Sequence, residues 1–216
     1  MVQTLTRERP VQRVSRGEQT RDRVLDVAEA SVLAKGFAAT SIDEILFEAC
    51  ITKSGFFYHF RDKNDLALAL IERFRERDLD IFEQMFRRAE ELTDDPLQVY
   101  LVGLKLLAET MADVQAERPG CLVATFVYQD QQFDHRVRAV LIEMTETWRA
   151  QFLARVEAIA AVHPPRVAID LRDLADMLMT VVDGGILVAK ALGQPGLLEN
   201  QVLAYRTLVR TVFLGV

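Results

Sequence analysis

The sequence predicts an all-α fold, and three observations carry that reading. Apolar residues recur at three- and four-residue spacing along nearly the whole chain. Strand-like alternation bounded by turn residues is missing. Helix-capping and helix-stopping residues fall at intervals suited to helices. The order is a compact set of three helices followed by a larger helical body.

Residues 1–17, with Pro10, Ser15 and Gly17 and no periodicity, read as a flexible basic arm. A first helix is expected from Glu18 to Lys35, with Val24, Val27, Ala28, Ser31 and Val32 as its inner stripe and Gly36 as its stop. Ser41 with Glu44 forms a capping-box pattern that opens a short second helix, whose Ile42, Ile45, Leu46 and Ala49 face inward. Thr52 caps a third helix ending near His59, with Phe57 and Phe60 on its core face. Residues 61–64 are a connector to a long fourth helix carrying Leu66, Leu70, Ile71, Phe74, Phe82 and Phe86. A fifth helix begins after Asp94-Asp95-Pro96 and is broken at Arg118-Pro119-Gly120. Further helices are expected near Leu122–Gln131, His135–Ala160, Leu171–Leu192 and Glu199–Leu214. The chain thus divides into the arm (1–17), a three-helix unit (18–63) and a helical body (64–216).

The chain has 216 residues, 50% hydrophobic and 27% charged, which excludes wholesale disorder. With two cysteines far apart, Cys50 and Cys121, neither a disulfide framework nor a cysteine-based zinc site can be built. Both thiols read as small packed side chains rather than redox switches, although a helix start at Cys121 would lower its pKa. His59, His135 and His163 have no partner at metal-ligand or catalytic-triad spacing, and no glycine-rich phosphate loop exists. The expectation is therefore no enzyme, no metal and no cofactor. The most apolar stretch, Met177 to Leu192, is interrupted by Asp183 and Lys190, so neither a membrane span nor a secretory signal is expected, and the default location is cytoplasmic.

Charge is uneven. The chain carries −6 overall, yet residues 1–63 hold +1 and the first 23 residues hold +3 from six arginines. A local basic patch can bind phosphate while an acidic body keeps the molecule in solution.

The window from Glu48 to Phe60 is the most informative. It reads as helix, tight turn, Thr-capped helix and aromatic run, with the third helix's positive end free to face anions. Gly55 within so short a helix costs about 1 kcal/mol relative to Ala, as expected where a backbone must approach another molecule closely. Tyr58 and His59 fall off the core face, where they can reach phosphate oxygens. Lys63 sits at a helix start, a placement favoured if a phosphate lies nearby.

Residues from about Thr20 to Leu70 resemble the DNA-binding region of tetracycline-repressor-like (TetR/AcrR) transcription regulators. The resemblance rests on Ala28, Gly36-Phe37, Thr40-Ser41, Ile45, Ala49, Thr52-Lys53-Ser54-Gly55, Phe57-Tyr58-His59-Phe60 and Lys63-Asn64-Asp65-Leu66. It implies a helix-turn-helix at 41–49 and 52–59, followed by a larger helical ligand-binding and dimerisation domain. By this resemblance Thr52, Lys53 and Phe56 face base edges, with Ser54 and Gly55 in the same reading helix. Thr40, Tyr58, His59 and Lys63 hold phosphates, and Arg13, Arg16 and Arg21 add backbone or minor-groove contacts. Cys50 stands at the turn position that is usually glycine; a left-handed conformation there costs roughly 1–2 kcal/mol.

The implied partners are a pseudo-palindromic double-stranded operator, a second copy of the chain and a small ligand. Phe126, Tyr128, Phe133, Met144, Trp148, Phe152, Met177 and Met179 are the expected pocket lining. Leu178, Val182, Gly185, Ala189, Leu208, Val212 and Phe213, on the last two helices, are the expected dimer interface. The implied function is a homodimeric, ligand-responsive regulator, most often a repressor. A helical binding or interaction module that retains an unused helix-turn-helix is the alternative.

Overall fold

The computed structural model describes residues 15–117 and 120–215, with the side chains of 116 and 117 excepted. The described residues form nine α-helices and one short 3-10 turn, with no strand. Helix α1 spans Arg16–Lys35, α2 Ile42–Glu48, α3 Lys53–His59, α4 Lys63–Glu90 and α5 Pro96–Glu117. Helix α6 spans Leu122–Tyr128, α7 His135–Val162, α8 Leu171–Leu192 and α9 Gly196–Leu214.

Most boundaries fall where the caps place them, and the exceptions are informative. Helix α1 begins at Arg16, two residues before the expected start, because Ser15 and Glu18 make a complete capping box. The expected box at Ser41 is only half made. The Ser41 hydroxyl accepts from the Glu44 N–H, but the Glu44 carboxylate is drawn off to Lys35. Asp62 caps α4, so the connector after α3 is only 60–62. The helix expected over 122–131 ends at Tyr128 and is followed by a 3-10 turn at Asp130–Gln132. Gly193 closes α8 in the left-handed conformation that glycine adopts without a Cβ penalty.

Two hydrophobic cores result. One joins α1, α2, α3 and the start of α4 to α6 and the first half of α7, from Val24 and Leu25 through Phe60 to Leu141 and Met144. The other joins the end of α4 to α5, the second half of α7, α8 and α9. Helices α4 and α7, each 28 residues and about 42 Å long, run through both. Packing is continuous across residue 63: Phe37 lies 5.6 Å from Phe126 and 4.7 Å from Phe133, ring centre to ring centre. The Gln129 side chain also accepts a hydrogen bond from the Ala38 N–H at 3.1 Å.

Candidate nucleic-acid interface

Helix α3 is built so that one face is sealed and the other presented. Phe56 and Phe60, four residues apart, are fully buried and lie 5.4 Å from each other between ring centres. That arrangement corrects two expectations. Phe56, with 0% of its surface exposed, has no route to a base edge. Phe57, expected in the core, is 44% exposed. The helix is rotated by one residue, about 100°, from the face that pairs Phe57 with Phe60.

Outward from this core stand Thr52, Lys53, Ser54, Phe57 and Tyr58, all exposed, with Tyr58 at 83%. The Thr52 hydroxyl accepts from the Gly55 N–H at 3.1 Å and shares a hydrogen bond with Ser54 at 3.1 Å. A Cβ on Gly55 would lie 3.3 Å from the Thr52 Oγ1, so this glycine leaves room for the cap as well as for close approach. His59 is half-buried, its ring edge-on to Tyr58 at 4.9 Å.

The turn between α2 and α3 holds its position through backbone geometry. Cys50 has φ +52°, the single non-glycine in the left-handed region among the described residues, and it takes the position where glycine is usual. The expectation that its thiol is buried fails: Cys50 is exposed. Arg23 donates from Nε to the Ala49 carbonyl at 2.9 Å, tying α1 to this turn. Phe47, 85% exposed on α2, is a surface residue the sequence reading left unassigned. The signal was present, since Phe47 lies outside the inward stripe of Ile42, Ile45, Leu46 and Ala49.

Three expected phosphate contacts are committed inside the chain. Thr40 is buried; its hydroxyl donates to the Gly36 carbonyl at 3.0 Å and is 3.1 Å from the Ser31 hydroxyl. The Lys63 ammonium donates to the Phe37 carbonyl at 2.7 Å and sits 4.4 Å above the Phe37 ring, and burial lowers its pKa. Arg21 lies over the Phe60 ring at 5.5 Å. Arg16 is exposed at the start of α1, whereas Arg13 falls outside the described residues.

The body contains a cavity of about 290 Å3. Trp148, Phe152 and Met179 line it, as expected from the sequence. The other expected lining residues do not. Phe126 is stacked on Phe133 at 4.5 Å within the N-terminal core, and Met144 is buried in that same core. Tyr128 is on the surface, and Met177 packs against the second core without lining the cavity. The walls come instead from α1, α4, α5, α6, α7 and α8, with Glu29, Phe74, Arg77, Asp78, Cys121 and Asp183 among them. Asp78 accepts from the Trp148 indole N–H at 2.6 Å, and burial pushes its carboxyl up to about 6. Cys121, read from the sequence as a packed thiol, is half-buried, and its pKa is pushed up to about 12 by burial and by the nearby carboxylates of Asp183 and Asp78 rather than lowered by the helix start.

Glu29 of α1 is nearly sealed and is gripped by two arginines of α4, Arg73 at 2.6 Å and Arg77 at 2.7 Å. Burial alone would raise its pKa, but the bonds and charges of Arg77 and Arg73 outweigh that and hold it below the ordinary glutamate value.

The expected dimer residues divide. Leu178, Gly185, Ala189, Val212 and Phe213 are buried within their own chain, because α8 and α9 pack on each other, α8 also on α7 and α9 also on α5. Val182 is half-buried in the cavity wall. A Cβ on Gly185 would lie 2.7 Å from Leu198 of α9, so the close approach it permits is within the chain. Leu208 of α9 is exposed, as are Leu187, Val188 and Leu192 of α8.

A helix-turn-helix with its second helix solvent-presented, mounted on an all-α body, defines a DNA-binding transcriptional regulator. Residues 24–70 match the family described as bacterial regulatory proteins, tetR family. The transcriptional regulator AcuR of Cereibacter sphaeroides is 31% identical over 162 residues, which cover 72% of this chain and 69% of that one. The chain belongs to the TetR family of transcriptional regulators, and its relatives there are not enzymes. Two solved structures share the fold. A TetR-family regulator from Agrobacterium tumefaciens superposes with TM-score 0.75 at 20% identity, covering 91% of this chain and 99% of that one. The regulatory protein TetR from Rhodobacter sphaeroides superposes with TM-score 0.73 at 26% identity, covering 87% and 97%. Among the described residues no helix is long and apolar enough to cross a membrane.

Proposed function

We propose that the chain works as a homodimeric repressor that reads a pseudo-palindromic operator and is released by a small ligand held in its body. The division of labour is a reading unit at 16–63, which takes in the last two residues of the expected arm because α1 starts at Arg16, and a ligand-binding and dimerisation body at 64–216. Residues 1–14 of that arm lie outside the described residues. The observation that carries this reading is the two-faced α3, sealed by Phe56 and Phe60 while Thr52, Lys53, Ser54 and Tyr58 face solvent. In a major groove Thr52 and Lys53 meet base edges and Tyr58 and His59 meet the backbone, with Arg16 adding a contact from α1. Such a protein acts on DNA in the cytoplasm.

Two copies are needed to read a two-fold site. The exposed Leu187, Val188, Leu192 and Leu208, beside the open surface at Gly184, offer a self-complementary apolar face for the second copy. Release follows from the cavity's position. Its walls include Glu29 of α1 and Arg77 of α4, the two sides of the ion pair that joins the reading unit to the body. A ligand that fits only one arrangement of this joint shifts the population toward it. Successive major grooves on one side of DNA lie about 34–36 Å apart, so a changed separation of the two reading units weakens binding.

The test is binding to DNA flanking the chain's own coding region, followed by fluorescence anisotropy across a salt series. The reading expects two protomers per site and a log–log salt slope near −0.9 per phosphate neutralised. A monomer with no salt-dependent preference for any such segment would contradict it.

A further inference from the structure

The cavity's chemistry identifies a ligand class, an inference that rests on the reading of this cavity as the ligand site of a DNA-binding regulator. Its lining holds three carboxylates, Glu29, Asp78 and Asp183, against a single guanidinium, Arg77. Arg77 is spent on Glu29, which Arg73 also bonds, so this group is neutralised within the wall. Lys190, outside the lining, is tethered to the carbonyl of the lining residue Leu33 at 3.1 Å. Among the described residues no cation lies within ion-pairing distance of Asp78 or Asp183. The polar partner of Asp78 is the Trp148 indole. Asp183, exposed on one side, lines the same space as Cys121, and the charges of Asp183 and Asp78 both push that thiol's pKa up. Both acids line the space together with Cys121. Phe74, Phe82, Trp148 and Phe152 supply aromatic walls.

We propose that this cavity binds a lipophilic monocation, its positive group set beside Asp78 and Asp183 and its apolar body held against the aromatic rings. Asp78, half-buried and without an ion-pair partner although the Arg77 charge reaches it, is costly as a carboxylate; a bound cation offsets that cost, and the more exposed Asp183 adds its charge. Aromatic faces add their own attraction for a positive group. An anion would meet two carboxylates and an arginine already occupied. A neutral ligand of the same shape would fill the space and leave both acids uncompensated. At about 290 Å3 the cavity lies at the small end of the range for drug-sized ligands, about 300–1,000 Å3, so the ligand is compact.

Trp148 is the only tryptophan in the chain, so its fluorescence reports occupancy of this cavity. The experiment titrates the full chain with three probes of similar size: benzyltrimethylammonium, its uncharged isostere neopentylbenzene, and 4-phenylbutyrate. Calorimetric titration checks each affinity independently. The expected result is benzyltrimethylammonium bound roughly tenfold or more tighter than neopentylbenzene, with phenylbutyrate weakest. Asp183→Asn and Asp78→Asn should each weaken the ammonium by about tenfold and leave neopentylbenzene unchanged. Equal or tighter binding of the neutral or anionic probe would overturn the cation assignment and leave the ligand-site reading standing. Retention of full ammonium affinity in both variants would also overturn it. Silence from all three probes, with operator binding intact, would overturn the ligand-site reading as well. Should one variant fail to fold, the other variant and the wild-type ammonium-to-isostere ratio still decide the matter.

Discussion

Helices α3 and α7 both carry aromatic residues at helical spacing, and they use them differently. On α3 the buried pair Phe56 and Phe60 fixes the helix so that Lys53, Phe57 and Tyr58 point outward. On α7 the stripe from Val137 to Ile159 is buried at every turn but one, and the exception, Trp148, borders the cavity. In the reading unit, function sits on what the core leaves outside. In the body, function sits in a defect of the core itself. The first kind of site tolerates substitution without loss of fold; the second is inseparable from packing.

The largest effect that would sharpen this contrast is expected where the two regions meet. Glu29→Gln leaves Arg77 without its charged partner and the largely buried Arg73 with Asp26 alone, and should cost about 2–4 kcal/mol in urea denaturation. Because the folded pKa of Glu29 lies below its unfolded value, its contribution is present above about pH 4.5 and is lost as pH falls through the folded value. A wild-type chain whose stability is flat below pH 5, or a Gln variant of unchanged stability, would show that this joint is not structural.

Within the body, Gly103→Ala would place a Cβ 2.3 Å from Phe86 Cε1, and Phe86 is fully packed between α4 and α5. Overpacking of this kind costs roughly 1–3 kcal/mol, to be read as a drop in thermal midpoint. In the reading unit the sign reverses. Cys50→Gly removes the Cβ from a residue at φ +52° and should stabilise the chain by about 1 kcal/mol, with operator affinity unchanged. Destabilisation by this change would mean that the thiol is held by contacts stronger than the strain.

The same contrast explains how much of the molecule the sequence disclosed. Helix limits were legible because caps are local: Thr52, Ser41 and Gly193 act within four residues of themselves. The reading helix was legible because its turn and aromatic run sit within thirteen consecutive residues. Its rotation was not, since Phe56 and Phe57 are equally apolar and only packing against α1 and α4 decides between them. Thr40 and Lys63 were misassigned because their partners, the Gly36 and Phe37 carbonyls, are backbone groups that no side-chain pattern reveals. The cavity lining was illegible for a related reason. Its acids Asp78 and Asp183 lie on helices α4 and α8 and line one cavity only after folding. Of the expected dimer residues on α8 and α9, most pack inside the protomer while Leu208 stays exposed, a division set by which neighbouring helices meet each face and not by apolarity alone.

The account turns on the claim that Lys53 is presented to DNA while Lys63 is consumed inside the chain. Its most direct test is the operator affinity of Lys53→Ala and Lys63→Ala, measured with the thermal midpoint of each. Lys53→Ala should bind at least about tenfold more weakly with an unchanged midpoint. Lys63→Ala should give a salt slope within error of wild type and a lowered midpoint, as expected when a hydrogen bond worth about 1 kcal/mol is lost. Full affinity in Lys53→Ala, or a slope flattened by one unit in a Lys63→Ala chain of undiminished stability, would contradict that claim.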